Sequence, residues 1–361
     1  MKYISKTRFS ILLLLFITQN AHSQGQYENV LSRLTNVLQD KEKTSFKNAV
    51  FEVENAYSGG SLEIDSFQKD ISYLLKLANL NEQIYQIRYD REDKSKVQKW
   101  ASVFKTITDT LTFKNSKDSI TYQLLPFRYN FDDVFGEKKW ENMFVTKLLA
   151  TRKGNCHSMP YLYKILCDEM GVPCHLALAP NHIYVKHRSE KAGWYNTELT
   201  SASFPIDAWV MASGYVTLES IQNGIYMDAL DDKKCIALCV LDLAKGFENK
   251  YPDNDGTFIL KCCDLTLEHF PNCINALLLK AETKKKQFER QMKLRGITNP
   301  SVLRLQSDSK ILWEEMRELY GKIYKLGYRT MPEKMYVDWL VSLKAEREKY
   351  ANKQVTEMNK N

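Results

Sequence analysis

The chain has 361 residues, 44% of them hydrophobic, with 51 Lys and Arg against 44 Asp and Glu and a formal net charge of +7. That length is enough for two or three domains with cores of their own. The charges are spread along the chain, which argues against a dedicated nucleic-acid-binding surface, and only 14 glycines and 9 prolines favour a mainly helical chain.

The first residues read as an export signal. Lys2, Lys6 and Arg8 precede a short apolar run, Ile11 to Ile17, and Ala21 and Ser23 supply the small residues expected before a cut at Gln24. The run falls short of the roughly 20 residues that a spanning helix needs, and no later stretch is long and apolar enough. The expectation is a signal peptide over 1–23 and a mature chain that is periplasmic or extracellular, with no membrane span after cleavage. Removing Lys2, Lys6 and Arg8 lowers the charge to +4. Eight cysteines in an exported chain permit disulfides, but a chain of this length does not need them. Cys235, Cys239, Cys262, Cys263 and Cys273 lie in apolar helical patterns, where buried inert thiols are at least as natural as bridges.

Residues 27–57 show helical spacing until Ser58-Gly59-Gly60-Ser61 breaks it, and a second helical run covers about 63–92. Residues 102–124 are rich in Thr, Ile and Phe and include possible strands. After the turn-rich 131–136, Trp140, Phe144, Leu148 and Leu149 have helical spacing. Met159, Leu162, Leu166 and Met170 then form one stripe, closed by Gly171-Val172-Pro173. Three short strands follow at Cys174–Ala179, His182–His187 and Gly193–Leu199. From about 216 the pattern is helical: Ala237–Glu248, Thr257–His269, Ile274–Gln287, then Ile311–Leu326 and Pro332–Tyr350 joined through Gly327. These pairs loosely resemble tetratricopeptide hairpins, although the small residues of that repeat are mostly missing. The fold class expected is α+β, with a Cys-bearing helix on a small antiparallel sheet and helical flanks. The expected boundaries are 24–115 for an N-terminal helical region, 116–215 for the core and 216–361 for the helical, loosely tetratricopeptide-like region.

Chemistry concentrates in 152–200. A nucleophilic cysteine needs an ionised thiol, and a helix start favours one through its free N–H groups and positive dipole. Cys156 stands there, after Gly154 and Asn155, with glycine read as leaving room for another chain to approach the thiol. A base on a neighbouring strand completes the pair. His182 opens a strand in which Ile183 and Val185 point one way and His182, Tyr184 and Lys186 the other, leaving the His face free to meet Cys156. If strands 182–187 and 193–199 form a hairpin with Lys186 opposite Trp194, Tyr184 faces Asn196 and His182 faces Glu198. A shift by two residues brings Asn196 to His182 instead. Glu198 is the preferred third member and Asn196 the alternative.

Arg152-Lys153-Gly154-Asn155-Cys156 with its helix, Pro180-Asn181-His182-Ile183-Tyr184-Val185, and Trp194-Tyr195-Asn196-Thr197-Glu198-Leu199-Thr200 together resemble the transglutaminase-like superfamily. The resemblance covers about 128–205 and is closest to bacterial members, some of which carry tetratricopeptide-like helices. It implies a papain-like core whose triad is a helix-capping Cys, a strand His and an acid on the following strand. Glu198 stands where the family usually has Asp.

Other residues are less telling. His157 lies about 100° around the helix from Cys156 and reads as a surface or cap histidine. Cys156 with His157, His175, His182 and His187 lacks paired metal-ligand spacing, so no metal or other cofactor is expected. Trp140 and Trp194 read as core, and Asp228, Asp231 and Asp232 as solvated charge at a helix end rather than a calcium loop. The leading expectation is an exported thiol enzyme that hydrolyses or transfers an amide bond of a peptide or protein substrate. The alternative is a non-catalytic scaffold in the cell envelope that captures a protein partner through its C-terminal helices. A third is an inert fold exported for envelope assembly.

Overall fold

The computed structural model describes residues 24–114, 121–343 and 345. The expected signal segment 1–23 and the polar end 351–361 lie outside the described residues. The chain is α+β and mostly helical, with small sheets.

It divides into two compact units, one formed by 1–64 with 233–321 and the other by 65–232 with 322–361. The cuts fall at 64/65, 232/233 and 321/322 rather than at 115/116 and 215/216, because each unit closes on a segment distant in sequence.

The first unit is helical. It contains α1 (24–38) and α2 (Phe46–Tyr57), then α9 (Asp232–Lys250), α10 (Thr257–His269), α11 (Ile274–Leu294), α12 (Pro300–Leu303) and α13 (Ser307–Lys325) as far as Gly321. The break between α1 and α2 is sharpened by Ser45, whose side chain accepts from the Asn48 N–H and caps α2. Tyr27 anchors the core, with its ring edge-on to Phe247 at 5.2 Å and to Phe258 at 5.8 Å. Cys235, Cys239, Cys262, Cys263 and Cys273 are buried free thiols here.

The second unit contains α3 (Ile64–Ile84), α4 (Lys94–Thr108), α5 (Val145–Thr151), α6 (Ser158–Glu169), α7 (Asp207–Met211) and α8 (Leu218–Gln222). A last helix, α14, covers 333–343. Strands β1 (Leu111–Lys114) and β2 (Thr121–Leu124) pair antiparallel, and β3 (Arg128–Tyr129) runs parallel to β4 (Lys153–Gly154). The main sheet has the order β5-β6-β7: His175–Ala179, His182–Ser189 and Gly193–Thr197, all antiparallel. Met227 and Leu230 donate backbone bonds to Leu178 and Leu176, so a returning loop covers the β5 edge.

Helix α6 lies against this sheet, with Leu162, Ile165 and Leu166 fully buried. Each such side chain contributes roughly 1.5–3 kcal/mol by leaving water. Lys164, on the same helix, is also buried. Its ammonium is held by the Cys174 carbonyl and by Asp168, each at 3.1 Å. Trp100 of α4 closes the far side, donating to the Pro173 carbonyl at 2.9 Å and stacking on His187 at 4.4 Å.

The β6–β7 register differs from the expected one. Val185 faces Thr197, Lys186 faces Asn196 and Arg188 faces Trp194, a shift of two residues away from the alternative that would have brought Asn196 to His182. Ser189 pairs with Gly193, which leaves Glu190, Lys191 and Ala192 as a tight loop, and the φ of +66° at Gly193 suits the junction of that loop with its strand. Trp194, read as core, is 47% exposed at the sheet edge, with His175 edge-on to it at 5.4 Å.

Candidate functional site

Parallel pairing of β3 with β4 sets Tyr129 beside Gly154, two residues before Cys156. The chain then turns into α6 under the control of Asn155. Its side-chain oxygen accepts from the His157 and Ser158 N–H groups at 3.0 and 3.2 Å, and its own N–H donates to Ser158 Oγ at 3.1 Å. This reciprocal capping satisfies amides that a helix start leaves without partners. Cys156 therefore sits in the turn just ahead of α6, which begins at Ser158. Gly154 has a different role from the one expected of it. A Cβ there would stand 2.5 Å from Ser158 Oγ and 2.7 Å from Leu148 Cδ1, so the glycine allows the turn to pack on its own helices.

His182 is delivered by a two-residue hairpin loop. Proline fixes φ at position 180, Asn181 takes the left-handed conformation at φ 57°, and Ala179 pairs with His182. The Cys156 sulfur lies 3.6 Å from the Asn181 carbonyl oxygen, which sets the loop tip beside it. The next strand provides the acid. The β6–β7 ladder stops at Val185–Thr197, and Glu198 leaves it to bridge Ser203 through two backbone hydrogen bonds of 2.8 and 2.9 Å. From there its carboxylate reaches His182 Nε2 diagonally, at 2.5 Å, while its other oxygen accepts from the Thr200 N–H at 2.7 Å. Asn196 is not at the histidine: its amide donates to the Pro205 carbonyl and to Asp207.

Cys156, His182 and Glu198 are 5%, 3% and 3% exposed. Burial alone would neutralise all three, so their charges depend on one another. Burial works to lower the His182 pKa, yet the Glu198 carboxylate and the hydrogen-bonded Cys156 sulfur outweigh it and push it up to about 10. Burial works to raise Cys156, but its hydrogen bond to His182 and the imidazolium charge bring it below the ordinary thiol value. Glu198 is likewise held below the usual carboxylate value against burial, mainly by the His182 charge and hydrogen bond. Each of the three groups thus favours the charged form of the others, with His182 the most strongly shifted. Cys174 and Cys262 show the contrast, with burial pushing both well above the ordinary thiol.

Four residues of the site were not foreseen: Tyr129, Asn181, Tyr336 and Trp339. The Tyr336 hydroxyl is 2.9 Å from His182 Nδ1 and 3.5 Å from the Tyr129 hydroxyl, and both phenols interact with the Cys156 sulfur. Burial first, and then the Cys156 charge, pushes both phenols up, so each remains a donor. The Trp339 ring meets His182 edge-on at 5.2 Å. The face of β6 expected to be open beside Cys156 is thus covered. A helical pattern over Pro332–Tyr350 was expected, but its docking place was not. His157 forms the helix cap position, and its Nδ1 lies 2.9 Å from the Met143 carbonyl. Among the described residues no cluster of metal-ligating side chains occurs.

Comparison with family models, curated protein sequences and solved structures returns no match.

Proposed function

We propose that the chain is an exported thiol enzyme of the transglutaminase-like kind, built on a papain-like core. The reading has Cys156 as nucleophile, His182 as proton carrier and Glu198 as the acid that orients the imidazole. The observation that carries it is the bracketing of His182. Glu198 holds Nε2 at 2.5 Å, and the same buried ring interacts with the Cys156 sulfur, so the imidazole is held protonated next to a thiol whose ionisation it favours.

In the reaction the thiolate attacks the amide carbon, an S–C bond forms and the carbonyl electrons move to oxygen. The Cys156 backbone N–H and the Tyr129 hydroxyl are the donors for that oxyanion. As the C–N bond breaks, the imidazolium gives its proton to the leaving amine, and a thioester remains. Water then loses a proton to His182 as it attacks the thioester, and the thiolate departs. An amine acceptor in place of water would give acyl transfer, but no residue pattern in the site marks an amine subsite, so hydrolysis of a peptide or protein is the simpler assignment. The basic, apolar and small-residue order of 1–23 supports export. Among the described residues no helix is long and apolar enough to cross a membrane.

Ultraviolet thiolate absorbance tests this reading without requiring reagent access. The difference between the native protein and Cys156→Ser at about pH 6 is expected to equal one thiolate and to vanish in His182→Ala. No difference would remove the thiol-enzyme reading. A second reading, a binding module on a papain-like scaffold, is favoured by the cover over the nucleophile. It predicts a protonated, silent Cys156.

A further inference from the structure

The side of Cys156 from which an amide would approach is filled by the chain's own end. Tyr336, Trp339, Leu340 and Leu343 form one buried stripe on α14, and with Met331 they cluster on Cys156 and Val134. Tyr129, Phe135, Trp209 and Tyr215 line the surface below. Tyr336 is fully buried, and its hydroxyl lies on the histidine nitrogen that must serve the leaving amine. No substrate carbonyl can come within bonding reach of the sulfur while this segment stays in place.

Among the described residues the polar fastening is local. Besides the Tyr336–His182 contact, the Asn181 amide donates to the Met331 carbonyl at 3.0 Å and the Trp339 indole to the Trp209 carbonyl at 3.1 Å. The opposite face of α14, including Glu333, Lys334, Asp338 and Ser342, is exposed. A helix of three turns is marginal by itself, so α14 depends on the stripe that it buries. The chain leading to it is pinned further back, where the Gly327 carbonyl accepts from Thr217 Oγ1 at 3.0 Å and Gly327 adopts φ 83°. Arg329 and Thr330, between that pin and the helix, are exposed, which gives the segment a hinge.

We propose that residues 331–343 are an autoinhibitory plug seated in the acyl-donor groove, with the Tyr336 hydroxyl standing where the substrate carbonyl would stand. This rests on the thiol-enzyme reading above. The plug leaves as a unit about the 328–330 hinge, and the groove it vacates is apolar and aromatic. The segment that replaces it is therefore a stretch of peptide presenting large apolar side chains. Tyr129, freed from Tyr336, then faces the incoming carbonyl oxygen.

The test is iodoacetamide labelling of Cys156 in the full-length protein at about pH 6, followed by peptide mass mapping. In the native chain the labelling rate is expected to level off as reagent increases, because opening becomes limiting. Leu340→Asp/Leu343→Asp should label at least about tenfold faster, with a rate linear in reagent. A native rate that is linear and equal to that of the double variant overturns the plug, as does a folded variant that labels no faster. Should the double variant fail to fold, hydrogen exchange on the native protein decides. Amides of 333–343 are expected to exchange through an opening of their own, and protection equal to that of β5 and β6 overturns the proposal. The thiolate absorbance is read on the same samples. If it is present while labelling is unhindered, the plug fails and the enzyme stands; if it is absent, the enzyme reading fails first.

Discussion

Strand β6 carries a histidine near each end, and the two are equally out of water: His182 is 3% exposed and His187 is 1%. Their charges are nevertheless opposite in tendency. His187 lies between Trp100, stacked at 4.4 Å, and the Tyr163 hydroxyl, 3.1 Å from Nε2. Burial, reinforced by His175, drives its pKa down to about 3. His182 meets the same burial but has Glu198 on one nitrogen and Cys156 nearby, and it is pushed up to about 10. Five residues along one strand place the rings on opposite faces. The partner on each face, and not depth, decides the charge. The strand therefore holds a structural imidazole and a charged one a few residues apart.

The largest effect should come from taking away the carboxylate. Glu198→Ala is expected to make His182 behave like His187, with loss of the Cys156 thiolate signal. Any thiol-dependent turnover should fall by roughly 10³–10⁴-fold, as for removal of an orienting acid. Breaking the buried pair should also cost about 3–5 kcal/mol in a denaturant titration. A variant that keeps the thiolate would erase the distinction between the two ends of β6.

The next effect depends on pH. His187 has a folded pKa below its unfolded value, so its contribution to stability is complete above about pH 6.5 and is lost as pH falls toward 3, at about 1.4 kcal/mol per pH unit. Native protein should lose about 2 kcal/mol more stability than His187→Phe between pH 7 and 5, read from urea midpoints. His182 has the reverse sign: its contribution is present below about 6.5 and lost as pH rises through about 10. Imidazole resonances followed by NMR should show one ring still charged at neutral pH and one still neutral at about pH 5. Both rings titrating near the ordinary value would cancel the contrast.

Smaller changes sharpen it. Gly154→Ala introduces a Cβ too close to Ser158 and Leu148. It should cost about 1–3 kcal/mol, with a partial loss of thiolate signal as Cys156 moves and no change at His187. Asn196→Ala should be the mildest, at roughly 1–2 kcal/mol from its lost hydrogen bonds. Its thiolate signal should be unaltered, since its amide serves Pro205 and Asp207.

What the sequence disclosed about this site follows the range of the interactions. Cys156 ahead of a helix and His182 opening a strand are local matters of capping, period and turn chemistry, and both were readable, whereas Glu198 stands just past the end of the strand expected to carry it. The hairpin register was missed because period 2 is blind to a shift of two, and Gly193 begins the strand in either pairing. Glu198 reaches His182 by leaving the ladder, which no pairing rule describes. Asn196, the alternative at His182, faces elsewhere for the same reason. Tyr336 and Trp339 were beyond reach, since a helical stripe declares that it will be buried but not against what. The interleaving of the two units was hidden likewise, because it depends on contacts between distant segments.

That interleaving has a consequence in time. Tyr336 follows His182 by 154 residues, and the intervening chain includes 233–321, which belongs to the other unit. Glu198 precedes Tyr336 by 138 residues, so at ordinary synthesis speeds of about 5–20 residues per second the sulfur, imidazole and carboxylate are all made roughly 7–28 s before their cover exists. On the proposed reading, the nascent chain thus passes through an interval in which Cys156 is made but still uncovered, and it ends when α14 arrives.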